Sequence, residues 1–164
     1  MFEIPEGLNP ALMGVAWLIG RWEGNGHGTW PGMGDFEFAQ QIDFNTNGSE
    51  QLHYISQTFK VDEEGTPIEP LFSETGYWRP QPDGTVEVVL THPEGYVEVW
   101  AGDLQPGKIE LTTDLCARTS TAELQITGGQ RLYGSVDSDL LWTWDRATTT
   151  VPLQPFVWAR LVRA

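Results

Sequence analysis

Glycine-bearing turn pairs punctuate the chain at short intervals: Asn47-Gly48, Glu64-Gly65, Asp83-Gly84, Glu94-Gly95, Pro106-Gly107 and Gly128-Gly129. Glycine reaches the positive-φ conformations that tight reversals need, and asparagine, aspartate and proline favour turns for their own reasons. Between these pairs the residues alternate. Phe36, Phe38, Ile42 and Phe44 fall on one face of a run, Val86, Val88 and Leu90 on one face of the next clear example, and Leu132, Gly134 and Val136 on that of another. No helical crossover stretch interrupts the series, so it reads as an antiparallel meander of about ten strands. A sheet that long removes its edges by closing on itself. The expected fold is all-β, an up-and-down antiparallel barrel of roughly ten strands, wide enough to hold a ligand.

One segment departs from the strand pattern. Asn9-Pro10 is a helix start, with Asn9 as N-cap and Pro10 at the first helical position. Leu12, Val15, Ala16 and Ile19 then form a one-sided apolar stripe that Gly20 ends. This short helix is expected to cap one end of the barrel. The length of 164 residues suits a single core, and no repeat or linker divides it, so residues 1–164 are read as one domain.

Lysine and arginine number 9 against 23 aspartates and glutamates, a formal net charge of −14. Nucleic-acid phosphates and anionic membranes both require a basic face, so neither is expected as a partner. A soluble monomer or homodimer fits this charge. Cys116 is the only cysteine, which excludes an intrachain disulfide. The N-terminal residues Phe2 to Glu6 lack a basic region and a long apolar run, and Ala11 to Ile19 is too short to span a bilayer. A cytoplasmic location is the expectation. Asn47-Gly48-Ser49 matches a glycosylation sequon and reads, in that setting, as a turn.

The run Gly20-Arg21-Trp22-Glu23-Gly24-Asn25-Gly26 has the form Gly-x-Trp-x-Gly-x-Gly. A dinucleotide fingerprint follows a strand and opens a helix, whereas this run follows a helix and leads into Thr29-Trp30-Pro31. Its reading is architectural: Gly20, Gly24 and Gly26 let the first strand bend while Trp22 plugs the barrel floor. Two further runs accompany it, Glu74-Thr75-Gly76-Tyr77-Trp78-Arg79 and Ala147-Thr148-Thr149-Thr150-Val151-Pro152-Leu153-Gln154-Pro155.

These three motifs, in this order, resemble the nitrobindin family, small calycin-like barrels related in shape to fatty-acid-binding proteins, many of which hold haem b. The resemblance extends from Leu8 to Arg163. It implies a haem-ligating histidine directly after the C-terminal motif, where this chain has Phe156, and a phenyl ring has no lone pair for a metal. It also implies a histidine lining the distal side, where this chain has Phe72. A threonine against the porphyrin is implied in a Tyr-Pro-Thr-Ile-like run, where this chain reads Trp30-Pro31-Gly32-Met33. Gly32, Phe72 and Phe156, with His92 at a position where relatives often carry glutamine, are the pocket residues that the resemblance nominates.

Other donors are sparse. His27, His53 and His92 match no metal spacing, so no metal site is expected, with His92 or His53 as the alternative iron ligands. His27 reads as exposed, and His53 shares strand parity with Ile55 and Phe59. Cys116 reads as buried and inert, with Arg118 as a weak cationic neighbour. Asp62-Glu63-Glu64 reads as a solvated loop tip. Arg160 shares parity with Phe156 and Trp158, and strand parity leaves open whether it faces inward to hold a ligand carboxylate. Three functional classes follow. The first is a barrel for a small hydrophobic ligand, with no haem ligated at the usual position. The second is a haem b protein with an altered ligand and the family's nitric-oxide and peroxynitrite isomerase chemistry. The third is an interaction module whose aromatics fill the barrel.

Overall fold

The computed structural model describes residues 2–164. Ten strands follow one another: β1 (Gly20–Trp30), β2 (Gly34–Asn45), β3 (Leu52–Val61), β4 (Pro67–Pro80), β5 (Thr85–Thr91), β6 (Tyr96–Gln105), β7 (Lys108–Arg118), β8 (Ile126–Val136), β9 (Asp139–Thr148) and β10 (Gln154–Arg163). Each pairs antiparallel with its chain neighbours, and β1 pairs with β10 from Trp22–Arg163 to Gly28–Val157, closing the barrel. No helix among the described residues is long and apolar enough to cross a membrane.

The N-terminal helix, Pro10–Leu18, is a 3₁₀ helix. Asn9 caps it as expected, its side-chain oxygen accepting from the Ala11 N–H at 3.0 Å. The buried stripe is Leu12, Val15, Ala16 and Leu18, with Ile19 outside the helix as its C-cap. Three residues per turn place positions 12, 15 and 18 on one line, which moves the inward role from Ile19 to Leu18. The helix closes the end where β1 begins. There the Trp22 indole N–H donates to the Leu18 carbonyl at 2.8 Å, and the Arg163 guanidinium lies 4.1 Å from the Trp22 ring centre. Trp22 is 2% exposed and lies against the helix at this end.

The glycines beside it have two separate reasons. Gly20 adopts φ +121°, a conformation that L side chains rarely take. Gly26 is extended instead, and a Cβ there would enter the Phe38 ring and lie 2.8 Å from the Trp158 carbonyl. It is glycine because the opposite ring packs directly on the backbone.

Two expected features change place. Gly128-Gly129 lies within β8 at a register shift, and the reversal between β8 and β9 is Asp137-Ser138, with φ 52° and 70°. That pair of positive φ values is the primed hairpin geometry whose twist matches the flanking strands. On β8, Leu132 and Val136 point outward, while Arg131 and Tyr133 point into the barrel. Alternation placed the apolar set inside; buried counter-charges and aromatic faces reverse that choice.

Candidate functional site

The floor of the barrel is solid with side chains, among them Phe44, Leu52, Trp78, Val86, Leu140 and Leu161. Above them lies a polar layer. The Trp142 indole N–H donates to Gln40 at 2.9 Å, and Gln40 donates to the Ser56 hydroxyl at 2.9 Å. Arg131 forks onto Glu74, Nη1 to Oε1 at 2.6 Å and Nη2 to Oε2 at 2.8 Å, and Tyr54 donates to the same carboxylate at 2.7 Å. Burial by itself would raise the Glu74 carboxyl, but the Arg131 charge and its hydrogen bonds bring it down to about 2. Glu98, fully enclosed, accepts from His92 Nε2 at 2.7 Å and lies 3.8 Å from Arg131.

Phe156 belongs to the layer above, near the open end. β10 carries a bulge between Pro155 and Val157, so the register to β9 skips Phe156. Phe156 and Val157 are therefore both buried, and parity then runs inward through Ala159 and Leu161. This resolves the ambiguity of strand parity: Phe156 faces in while Trp158 and Arg160 face out. The approach to the bulge is shaped by Thr148, whose hydroxyl accepts from the Val151 N–H at 3.1 Å. Phe156 is the hub of the upper layer, its ring centre 5.1 Å from Trp144, 5.5 Å from Trp30, 5.7 Å from Phe72 and 6.2 Å from Phe36.

The cavity at this end measures about 250 Å³, and its walls include Trp30, Phe72, His92, Trp144, Arg146 and Phe156. A wider opening of about 680 Å³ adjoins it and shares Leu71, Phe72, His92 and Glu94. It arises because β4 pairs with β5 only from Thr75 onward, which leaves the preceding residues of β4 without a neighbour on that side.

Arg146 was not singled out by sequence reasoning. It is 5% exposed, and its guanidinium carbon lies 3.7 Å from the Phe156 ring centre and 4.2 Å from that of Trp30. No carboxylate among the described residues pairs with it, and its Nε has no acceptor. Burial lowers it from the ordinary guanidinium value, with Tyr96 and the more distant Glu98 charge partly opposing. The available signal was that Trp144 and Arg146 share strand parity, so a buried Trp144 carries Arg146 inward with it.

The other nominated residues separate. Phe72 and His92 join Phe156 in the cavity walls. His92 is committed there: its Nε2 faces Glu98, its Nδ1 lies 3.8 Å from Glu74, and its ring stacks at 4.0 Å on Tyr96. Gly32 sits exposed in the β1–β2 turn with φ +88° and nothing near its absent side chain, while its neighbour Met33 reaches the cavity. His53 is on the outer face, bonded to Thr75 at 3.2 Å and stacked on Tyr77. His27 is also outside, 3.5 Å from Glu37. Arg160 pairs externally with Asp139 at 2.6 Å. Cys116 is half-buried; burial and then the Glu98 charge push its thiol up to about 11, while Arg118 donates to the Ala122 carbonyl. No cluster of three metal-ligating side chains occurs among the described residues.

The family model for the THAP4-like, heme-binding beta-barrel domain matches residues 11–163. The chain is 56% identical to a ferric nitrobindin-like protein of Cutibacterium acnes, over 99% of both chains. It is 46% identical to a peroxynitrite isomerase of a Nocardioides species, over 99% of this chain and 98% of that one. The crystal structure of Rv2717c from M. tuberculosis superposes with a TM-score of 0.83 at 33% identity, covering 96% of this chain and 99% of the other. With its closed ten-stranded barrel, its three motifs and these relatives, the chain belongs to the nitrobindin family.

Proposed function

We propose that this barrel binds a small hydrophobic molecule at its open end and holds no histidine-ligated haem. The surroundings of Phe156 carry the reading. Phe156 offers no donor atom, Arg146 covers its ring with positive charge, and both nitrogens of His92 face carboxylates. A haem iron finds no free imidazole here, and its own positive charge would lie against a guanidinium, so these residues do not fit the group. They do fit a compact apolar guest: an aromatic-walled cavity with a few polar groups is the usual composition of a small-molecule site.

The haem-binding description of the family and the peroxynitrite isomerase among the relatives support a second reading, in which haem binds through another ligand. Two titrations separate the readings. An uncharged, environment-sensitive naphthalene dye is expected to bind saturably, and hemin is expected to give no saturable complex with an imidazole-type spectrum. A tight hemin titration with that spectrum would overturn the proposal. Dye binding absent in the wild type and gained in Phe156→Ala would mean that the rings fill the barrel, leaving the acidic surface as the working part.

A further inference from the structure

Arg131 and Arg146 both lie inside the barrel, yet their situations are opposite. Arg131 is matched by the Glu74 carboxylate. Arg146, 5% exposed, has aromatic faces against it and no ion-pair partner among the described residues. Ring faces stabilise the flat faces of a guanidinium, whereas its N–H groups point outward in the guanidinium plane and require acceptors. The Arg146 Nε is buried without an acceptor, and Tyr96 beside it supports the charge only in part. Arg146 also lines the cavity at the open end, so a molecule entering there reaches it.

We propose that Arg146 is an anion-binding residue, and that the ligand of this cavity is a small carboxylate with an aromatic or short aliphatic body. The inference rests on the reading of the barrel as a small-molecule binder. A carboxylate matches the guanidinium fork with two parallel hydrogen bonds, the geometry that Arg131 and Glu74 already display one layer deeper. The aromatic walls formed by Trp30, Phe72, Trp144 and Phe156 suit an apolar body, and a volume of about 250 Å³ sets a compact one. An anion in contact with Arg146 would also supply what burial takes from its charged form.

Opposing charges are present but less well placed. Glu98 is engaged by His92 and by Arg131, 3.8 Å away, and Glu94 at the rim is exposed to solvent. The net charge of −14 is carried mainly on the exterior, where physiological salt screens it beyond roughly 8 Å. At contact distance the guanidinium decides.

The test compares naphthalene-2-carboxylate, naphthalene-2-carboxamide and 2-methylnaphthalene by calorimetry at neutral pH, on the wild type and on Arg146→Met, with Arg146→Gln as a second, polar replacement. The carboxylate is expected to bind the wild type about tenfold or more tightly than the amide. In either variant that preference should vanish while 2-methylnaphthalene binding persists, which also reports that the variant is folded. Equal binding of carboxylate and amide by the wild type would overturn the anion assignment and leave the apolar-binding reading standing. A preference that survives in a folded Arg146 variant would overturn it as well. If none of the three compounds binds the wild type, both the assignment and the reading beneath it fall.

Discussion

Arg131 and Glu74 are 57 residues apart in the chain and form a two-pronged ion pair inside the barrel, closed to solvent on both sides. The pair joins β8 to β4 across the interior and is roofed by Trp144, whose ring centre is 4.0 Å from the guanidinium carbon. It is also an acid-sensitive element of the barrel. Burial would raise Glu74, yet Arg131 holds it at about 2 against an ordinary 4.5. A depressed folded-state value stabilises the protein in full above the unfolded value and is lost as pH falls through the folded one. Stability is therefore expected to decline between about pH 4.5 and pH 2, by on the order of 3 kcal/mol from this group. Urea denaturation at stepped pH measures it. Glu74→Gln should flatten that limb and cost about 3–5 kcal/mol at neutral pH by removing the two-pronged partner of Arg131 and leaving it only Glu98, 3.8 Å away. An unchanged acid limb in the variant would remove the assignment.

Trp22→Ala should destabilise the barrel by about 3–5 kcal/mol, since it removes a 2%-exposed indole and leaves a cavity below the helix. The loss of the bond to Leu18 adds to this by unpinning the 3₁₀ helix. Thermal denaturation gives the answer, and a melting temperature equal to that of the wild type would show that Trp22 is not the floor.

Phe156→His by itself should not create a competent haem site. Arg146 would remain against the new imidazole, and Phe72 would still narrow the cavity. The double change Phe156→His with Arg146→Met is expected to take up hemin distinctly better, read from a saturable Soret titration. Adding Gly32→Thr should lower stability instead of improving binding, because Gly32 is a turn residue with φ +88°. Full hemin affinity in the single Phe156→His variant would contradict this account.

Cys116 should be a slow nucleophile. With its thiol pushed up to about 11, the thiolate fraction at pH 8 falls roughly a hundredfold below that of an ordinary cysteine. Alkylation by iodoacetamide at pH 8, timed by mass spectrometry against a model peptide, is expected to be slower by about that factor. A rate equal to the peptide's would mean that burial and the Glu98 charge do not govern the thiol.

The architecture was legible because it is written in local chemistry. Glycine-bearing reversals at Asn47-Gly48, Glu64-Gly65 and Asp83-Gly84 separate the strands, and alternation at Phe36 to Phe44 and Val86 to Leu90 assigns their inner faces. The Gly20 to Gly26 motif carries both the family and the buried Trp22. Where local chemistry was silent, expectation failed. Asp137-Ser138 turns without glycine, and Gly128-Gly129 does not turn.

The candidate site was decided by the closed barrel. By itself the sequence determined that Phe156 follows the C-terminal motif and offers no metal donor. The bulge at Pro155–Val157 decided that Phe156 faces inward, and no periodicity could reveal it, because one extra residue inverts parity along the strand. Tertiary structure likewise chose Arg131 and Arg146 over Arg160 as the interior arginines. The energy of a buried cation depends on partners remote in sequence: Glu74 for Arg131, the rings of Trp30 and Phe156 for Arg146. Those partners meet only when β1, β4, β8, β9 and β10 share one enclosed interior.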